Sequence, residues 1–229
     1  MSDQHAADAL AQTAVGLVAN KMIVGLGAGK TASRGILALA ERVNEEALDI
    51  QCVAASQHAE DYARQLGLRI IDFGELEEVD ILIDGADEID RTMSVMKGSR
   101  GAMTRERILC WASNLTVFMV HADKIAESQI GIRCPLPIAV MPYGLASTRI
   151  ALRHIGINGV IRPDHNGGQF VTDNNNFVLD AVLRGDEDLA QLASELNDIP
   201  GVIDHGLFID EADLILIEHE DRDIEHLER

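Results

Sequence analysis

Three stretches of this chain combine residue types that can hold an anion or move a proton. The first is Val24-Gly25-Leu26-Gly27-Ala28-Gly29-Lys30-Thr31, an apolar run that breaks into glycines before helix-forming sequence resumes. Glycines let backbone amides approach an anion, a helix start adds its dipole, and Lys30 and Thr31 add a charge and a hydroxyl. That chemistry suits a phosphate, although a ligand-free strand-to-helix turn reads the same way and the spacing matches neither a P-loop nor a dinucleotide fingerprint. In the second stretch an apolar run from Val79 ends in Asp84-Gly85-Ala86-Asp87-Glu88-Ile89-Asp90. Ligands of open parallel sheets bind beyond the carboxyl ends of strands, where Asp84 and Asp87 could hold sugar hydroxyls and pass protons between oxygens. Turn and capping roles are the alternative for these aspartates. The third is Met96-Lys97-Gly98-Ser99-Arg100-Gly101-Ala102-Met103-Thr104-Arg105-Glu106, a glycine-broken loop entering a helix. Lys97 and the loop amides suit a developing oxyanion. Glu106, near Met103, Ile108 and Leu109, is placed for the partial desolvation that raises a carboxylate's pKa and fits it to act as a base. Helix capping and the dipole are the alternative for Thr104 and Glu106.

The elements that must position these stretches follow from periodicity. Apolar spacing predicts a helix over 5–20, a strand over 22–26 and a helix restarting near Thr31. Strand-like runs at 50–54, 68–72, 79–84 and 115–121 alternate with helical stretches at 57–66 and 102–112, which implies a parallel sheet covered by helices on both faces. The pattern changes after Gly131. Arg133-Cys134-Pro135-Leu136-Pro137 punctuates the chain, followed by a strand over 138–141, a helix over 145–155, strands at 157–161, 169–172 and 177–182, and a helix over 186–197. Gly- and Asn-rich turns make this a small α+β lobe with hairpin-type connections. Residues 214–217 read as a strand returning to the main sheet and 221–229 as a charged terminal helix. The expected fold is α/β: a Rossmann-like parallel sheet domain over 1–131 and 207–229, with an inserted α+β lobe over 132–206.

Composition narrows the functions. A chain of 229 residues, 47% hydrophobic, can bury a substantial core. Its apolar runs are shorter than the roughly 18 residues of a membrane span, and the start, with Asp3 and His5, lacks a basic region feeding an apolar core. A cytoplasmic location is expected. Cys52, Cys110 and Cys134 are widely spaced, with no C-x-x-C, and read as reduced core thiols. A formal net charge of −19 and a pI near 4.6 disfavour nucleic acid and anionic membranes as partners. An anionic substrate must then be met by a few local cations, and of the lysines, Lys21, Lys30, Lys97 and Lys124, three lie in or beside polar or glycine-rich loops.

The three stretches, in this order and at these intervals, resemble the phosphate, carboxylate and catalytic loops of the ribose-5-phosphate isomerase A family. The resemblance continues through Ala122-Asp123-Lys124, Pro135-Leu136-Pro137, Thr172-Asp173-Asn174-Asn175-Asn176, Ile199-Pro200-Gly201-Val202 and Gly206-Leu207-Phe208. It implies an aldose-ketose isomerase acting through an enediolate on a small phosphorylated sugar, assembled as a homodimer or homotetramer and requiring no metal or organic cofactor. Glu106 would be the base, with Asp84 and Lys97 assisting. Gly27, Ala28, Gly29, Lys30, Thr31, Asp84, Gly85, Ala86, Asp87, Lys97, Gly98, Ser99, Arg100 and Lys124 would contact substrate. The chain departs from the family where Ala28 and Lys30 interrupt a hydroxyl-rich loop, where Ser99 and Arg100 replace glycines, and where His121 replaces an acidic residue. Two readings stay beside the main one: an isomerase of another phosphorylated sugar or sugar acid, with Lys30 and Arg100 reading an extra anionic group, and a non-catalytic sugar-phosphate sensor.

Overall fold

In the computed structural model, which describes residues 8–229, strand and helix alternate through the first half of the chain. The elements run α1 (Ala9–Val15), β1 (Ile23–Leu26), α2 (Lys30–Glu46), β2 (Gln51–Ala54), α3 (Gln57–Gln65), β3 (Ile81–Gly85), β4 (Glu88–Ile89), β5 (Val95–Met96), α4 (Met103–Ala112) and β6 (Thr116–His121). They continue as β7 (Leu136–Val140), α5 (Leu145–His154), β8 (Gly159–Ile161), β9 (Phe177–Ala181), α6 (Leu189–Asn197), β10 (Val202–His205), β11 (Leu207–Phe208), β12 (Leu214–Glu218) and β13 (Ile224–Glu228). The start of the helix expected over 5–20 lies outside the described residues.

Two compact units result. The first runs to Ala86 and takes in Ile108–Asp123 and Glu211–Arg229; the second comprises Asp87–Arg107 and Lys124–Asp210. In the first, six strands form one sheet in the order β13-β12-β6-β3-β1-β2, parallel except for β13. Leu10 and Val15 of α1 and Ile36 and Leu39 of α2 join Val24, Ile81, Val117 and Leu216 in one core. Strand residues alternating to the opposite face, Leu82, Phe118 and Ile215, are also fully buried. That is why these strands read as continuous apolar runs. Each such side chain contributes about 1.5–3 kcal/mol by leaving water. Chain order reverses between β1 and β3, which places the sheet's natural ligand crevice at their carboxyl ends.

The second unit holds a four-stranded antiparallel sheet, β10-β7-β9-β8, and a three-stranded one, β11-β5-β4. Leu136, Ile138 and Val140 of β7 pack with Leu152 of α5 and Leu192 and Leu196 of α6. This unit takes 87–107, 124–131 and 207–210 in addition to the whole of the expected lobe, because β5 pairs with both β4 and β11, apart from the main sheet.

Other expectations shift for identifiable reasons. The tail expected as a helix is strand β13, paired along its length with β12 through a hairpin in which Arg222 takes a φ of 70°. An isolated helix so short is marginal, whereas the open edge of β12 offers a row of unpaired N–H and C=O groups for a strand to bond. The run at 68–72 makes a single bridge, Ile70 to Cys52, and 169–172 makes only isolated bridges. The two-residue strands and β10 carry too little pattern to be read in advance.

Candidate active site

The register of the first sheet sets one cluster. Leu26 of β1 lies opposite Ile83 of β3, so the next residues, Gly27 and Asp84, come level where the strands end. A Cβ on Gly27 would lie 2.0 Å from the Asp84 carboxyl carbon, so only glycine leaves room for that side chain. Asp84, fully buried, accepts the Ala28 amide at 3.0 Å and the Gly85 amide at 2.7 Å on one oxygen, Oδ1. The Ala28 amide is thereby tied to the end of β3. Gly29, at a φ of 99°, starts α2 without a side-chain cap, so the first-turn amides beginning at Lys30 and Thr31 keep their partial positive charge for an anion. Ala86 follows β3 and is half-buried, while Lys30 is exposed.

The second cluster lies in the other unit. Lys97, directly after β5, and Glu106, on the first turn of α4, form an ion pair of 3.1 Å with side chains only 3% and 4% exposed. Taking both charges out of water is costly, so a pair held this way constrains the position of each group strongly. The Lys97 amide donates to Gly206 at 2.9 Å and the Gly206 amide to Pro137 at 2.8 Å, so the Pro-Leu-Pro and Gly-Leu-Phe motifs brace the strand that carries Lys97. Arg107, next to Glu106, donates to Asp204 at 2.7 Å and to the carbonyls of His205 and Leu207, and lies 4.0 Å over the Phe208 ring. Arg105, on Glu106's other side, donates to Asn174 at 2.9 Å. The Thr-Asp-Asn motif therefore steadies the start of α4.

Asp87 was expected to meet sugar hydroxyls. Its carboxylate accepts the Ser99 amide at 2.9 Å and the Ser99 hydroxyl at 2.5 Å. Ser99, at a position where a glycine was expected, thus supplies a hydroxyl that ties the loop down. Glu88 is buried on the Gly131 amide at 2.8 Å, and Asp90 caps its own turn through Thr92 and Ser94, so the later carboxylates of this run are structural. Gly98 is buried and Arg100 exposed, and Lys124 closes a single 3-10 turn, half-buried.

Relatives decide which family the chain belongs to. The family model described as ribose 5-phosphate isomerase A (phosphoriboisomerase A) matches residues 51–222. The chain belongs to the ribose-5-phosphate isomerase A family. Its similarity to the protein of that name from Dinoroseobacter shibae is 37% identity over 94% of this chain and 84% of the relative. A solved ribose 5-phosphate isomerase A from Methanocaldococcus jannaschii superposes with a TM-score of 0.90 at 32% identity, over 96% of both chains. A D-ribose-5-phosphate isomerase solved in complex with phospho-erythronic acid gives 0.91 at 30% identity, again over 96% of both.

Among the described residues of this ribose-5-phosphate isomerase A family member, no three His, Cys, Asp or Glu converge as a metal site requires, and no helix is long and apolar enough to cross a membrane. His121 belongs to a surface network in the first unit, 2.6 Å from Arg34 and 3.3 Å from Glu218, and Arg34 also grips Asp8. No disulfide joins the cysteines among the described residues; burial pushes the Cys52 thiol up to about 12, which keeps it protonated and unreactive. Arg105, Arg107 and Arg162 were not singled out by sequence reasoning. Their partners lie far along the chain, and no local spacing announces them.

Proposed function

We propose that this chain interconverts ribose 5-phosphate and ribulose 5-phosphate, as the names of its relatives state for them. The observation that carries this reading is the buried Lys97–Glu106 pair on the loop that matches the family's catalytic loop. Glu106 removes the proton from the carbon beside the carbonyl and returns it to the neighbouring carbon, through an enediolate. An ammonium within 3.1 Å of the base stabilises negative charge as it develops on the adjacent oxygen. Asp84, oriented by two backbone amides, passes the proton between the substrate oxygens. The substrate phosphate rests on the loop over 27–31 and the uncapped start of α2, with Lys30 and Lys124 adding charge.

The same family relation supports a cytoplasmic enzyme that assembles as a homodimer or homotetramer. Such an assembly offers cover for exposed Trp111 and Tyr143, and sedimentation as a monomer at micromolar concentration would exclude it.

A second reading, an isomerase for a sugar phosphate bearing an extra anionic group, is favoured by one observation. Lys30 and Arg100 are exposed and make no ion pair among the described residues, so neither cation is neutralised by a neighbouring carboxylate. An NMR assay in deuterated solvent over a panel of aldose and ketose phosphates decides. Ribose 5-phosphate should convert fastest, with deuterium entering the carbon next to the carbonyl. Faster turnover of a sugar-acid phosphate establishes the second reading, and no conversion of any member ends both.

A further inference from the structure

The loop after Lys97 is held from two sides by charged side chains. On one side Asp87 takes the Ser99 amide and hydroxyl. On the other, Arg162 donates through Nη1 to the carbonyls of Gly98 at 3.0 Å and Ser99 at 2.9 Å. Arg162 follows β8, and its backbone is pinned by bonds to Val178 and Phe170. The rest of its guanidinium is fixed by the Asp180 carboxylate on the neighbouring strand β9, Nε at 2.8 Å and Nη2 at 2.5 Å. That bidentate grip leaves the remaining nitrogen a single direction in which to point, and it points at the loop.

The consequence follows from peptide geometry. In a trans peptide the C=O and N–H point opposite ways. Turning the Gly98 and Ser99 carbonyls towards Arg162 therefore turns the amides of Ser99 and Arg100 away from it. The first of these meets Asp87, which shows that this side of the loop favours negative charge. The second is accepted by no described residue. A cation on the carbonyl also polarises the peptide and strengthens its N–H as a donor.

We propose that Arg162 is a positioning residue for the isomerisation, acting through the Ser99–Arg100 peptide, whose amide it aims and polarises towards the oxyanion. This rests on the isomerase reading above. It also leaves the amides of Gly98 and Arg100 as the loop's oxyanion donors, since Ser99's is bonded to Asp87.

The test compares Arg162→Met, Arg162→Lys and Asp180→Asn with the parent. Kinetics with ribose 5-phosphate are measured together with calorimetric binding of two probes. Phospho-erythronic acid carries a carboxylate where the oxyanion would form; ribitol 5-phosphate is uncharged there. Arg162→Met should lower kcat by about 10- to 100-fold with KM nearly unchanged, since a misaimed donor is felt in the transition state. It should weaken phospho-erythronic acid about tenfold and leave ribitol 5-phosphate within about twofold, a selective loss that general loosening would not produce. Arg162→Lys, able to reach one carbonyl, and Asp180→Asn, which releases the anchor, should fall between, and they carry the test if the methionine variant does not fold. Unchanged kcat, or equal weakening of both probes, overturns the proposal. Failure of the parent to convert ribose 5-phosphate would sink the isomerase reading instead, and the probe comparison would still judge Arg162.

Discussion

The loop after β1 and the loop after β5 both run through glycines towards a helix, yet they are held in different ways. The first inherits its shape from a parallel sheet. Strand register puts Gly27 level with Asp84, the missing side chain makes room, and backbone amides do the binding. The second follows a two-residue strand and depends on side chains from elsewhere in its unit: Glu106 on Lys97, Asp87 on Ser99, and Arg162 on two carbonyls. A loop on a long buried strand needs little beyond its own neighbourhood. One on a short strand must be fastened residue by residue.

The largest effect should come from the second loop. Glu106→Gln keeps shape and removes the base, and should lower kcat by about 10³-fold or more with substrate binding nearly intact. Single-turnover kinetics check it, and a fall of less than tenfold would place the chemistry elsewhere. Gly27→Ala attacks the first loop at its close approach. The new methyl must displace Asp84, so kcat/KM should drop by about 10²-fold, with a loss of about 1–3 kcal/mol in urea unfolding from overpacking. Unaltered activity and stability would show that register does not confine Asp84.

An intermediate effect concerns the strand bracing the second loop. His205 is buried beside Arg107, and burial first, with that guanidinium second, lowers its pKa to about 3. Its Nδ1 accepts the Leu207 amide at 3.2 Å, as the neutral ring can. The unfolded histidine titrates near 6.5 and binds the proton more readily than the folded one, so the folded state keeps its full advantage above that pH. Stability should then fall by about 1.4 kcal/mol per pH unit as the pH drops from about 6.5 towards 3. His205→Asn should flatten this slope in urea titrations at pH 6 and 5, and an equally steep variant would assign the acid sensitivity to other groups. Smallest of all, Lys30→Ser should raise KM a few-fold and reduce its dependence on salt, because one screened attraction to the phosphate is removed. An unchanged salt slope would leave Lys30 as a surface charge.

Much of the molecule was legible in its sequence. The Ile81–Gly85 strand, buried throughout, was readable because a strand covered on both faces admits only apolar residues until it reaches its end, and the glycine interruptions marked where helices and loops begin. Glu106, Lys97 and Asp84 could be named as chemical candidates because their types and flanking residues suffice to suggest a role. The tertiary structure alone decided what those candidates do to one another. It turned 224–228 from an expected helix into an edge strand, gave the Asp87 carboxylate to Ser99, and brought Arg162 to a carbonyl 63 residues earlier in the chain and Arg107 to a carboxylate 97 residues later. The physical reason is range. Periodicity and turn preferences are set by neighbours a few residues apart, while the partner of a buried charge is whichever group the packed sheets carry to it.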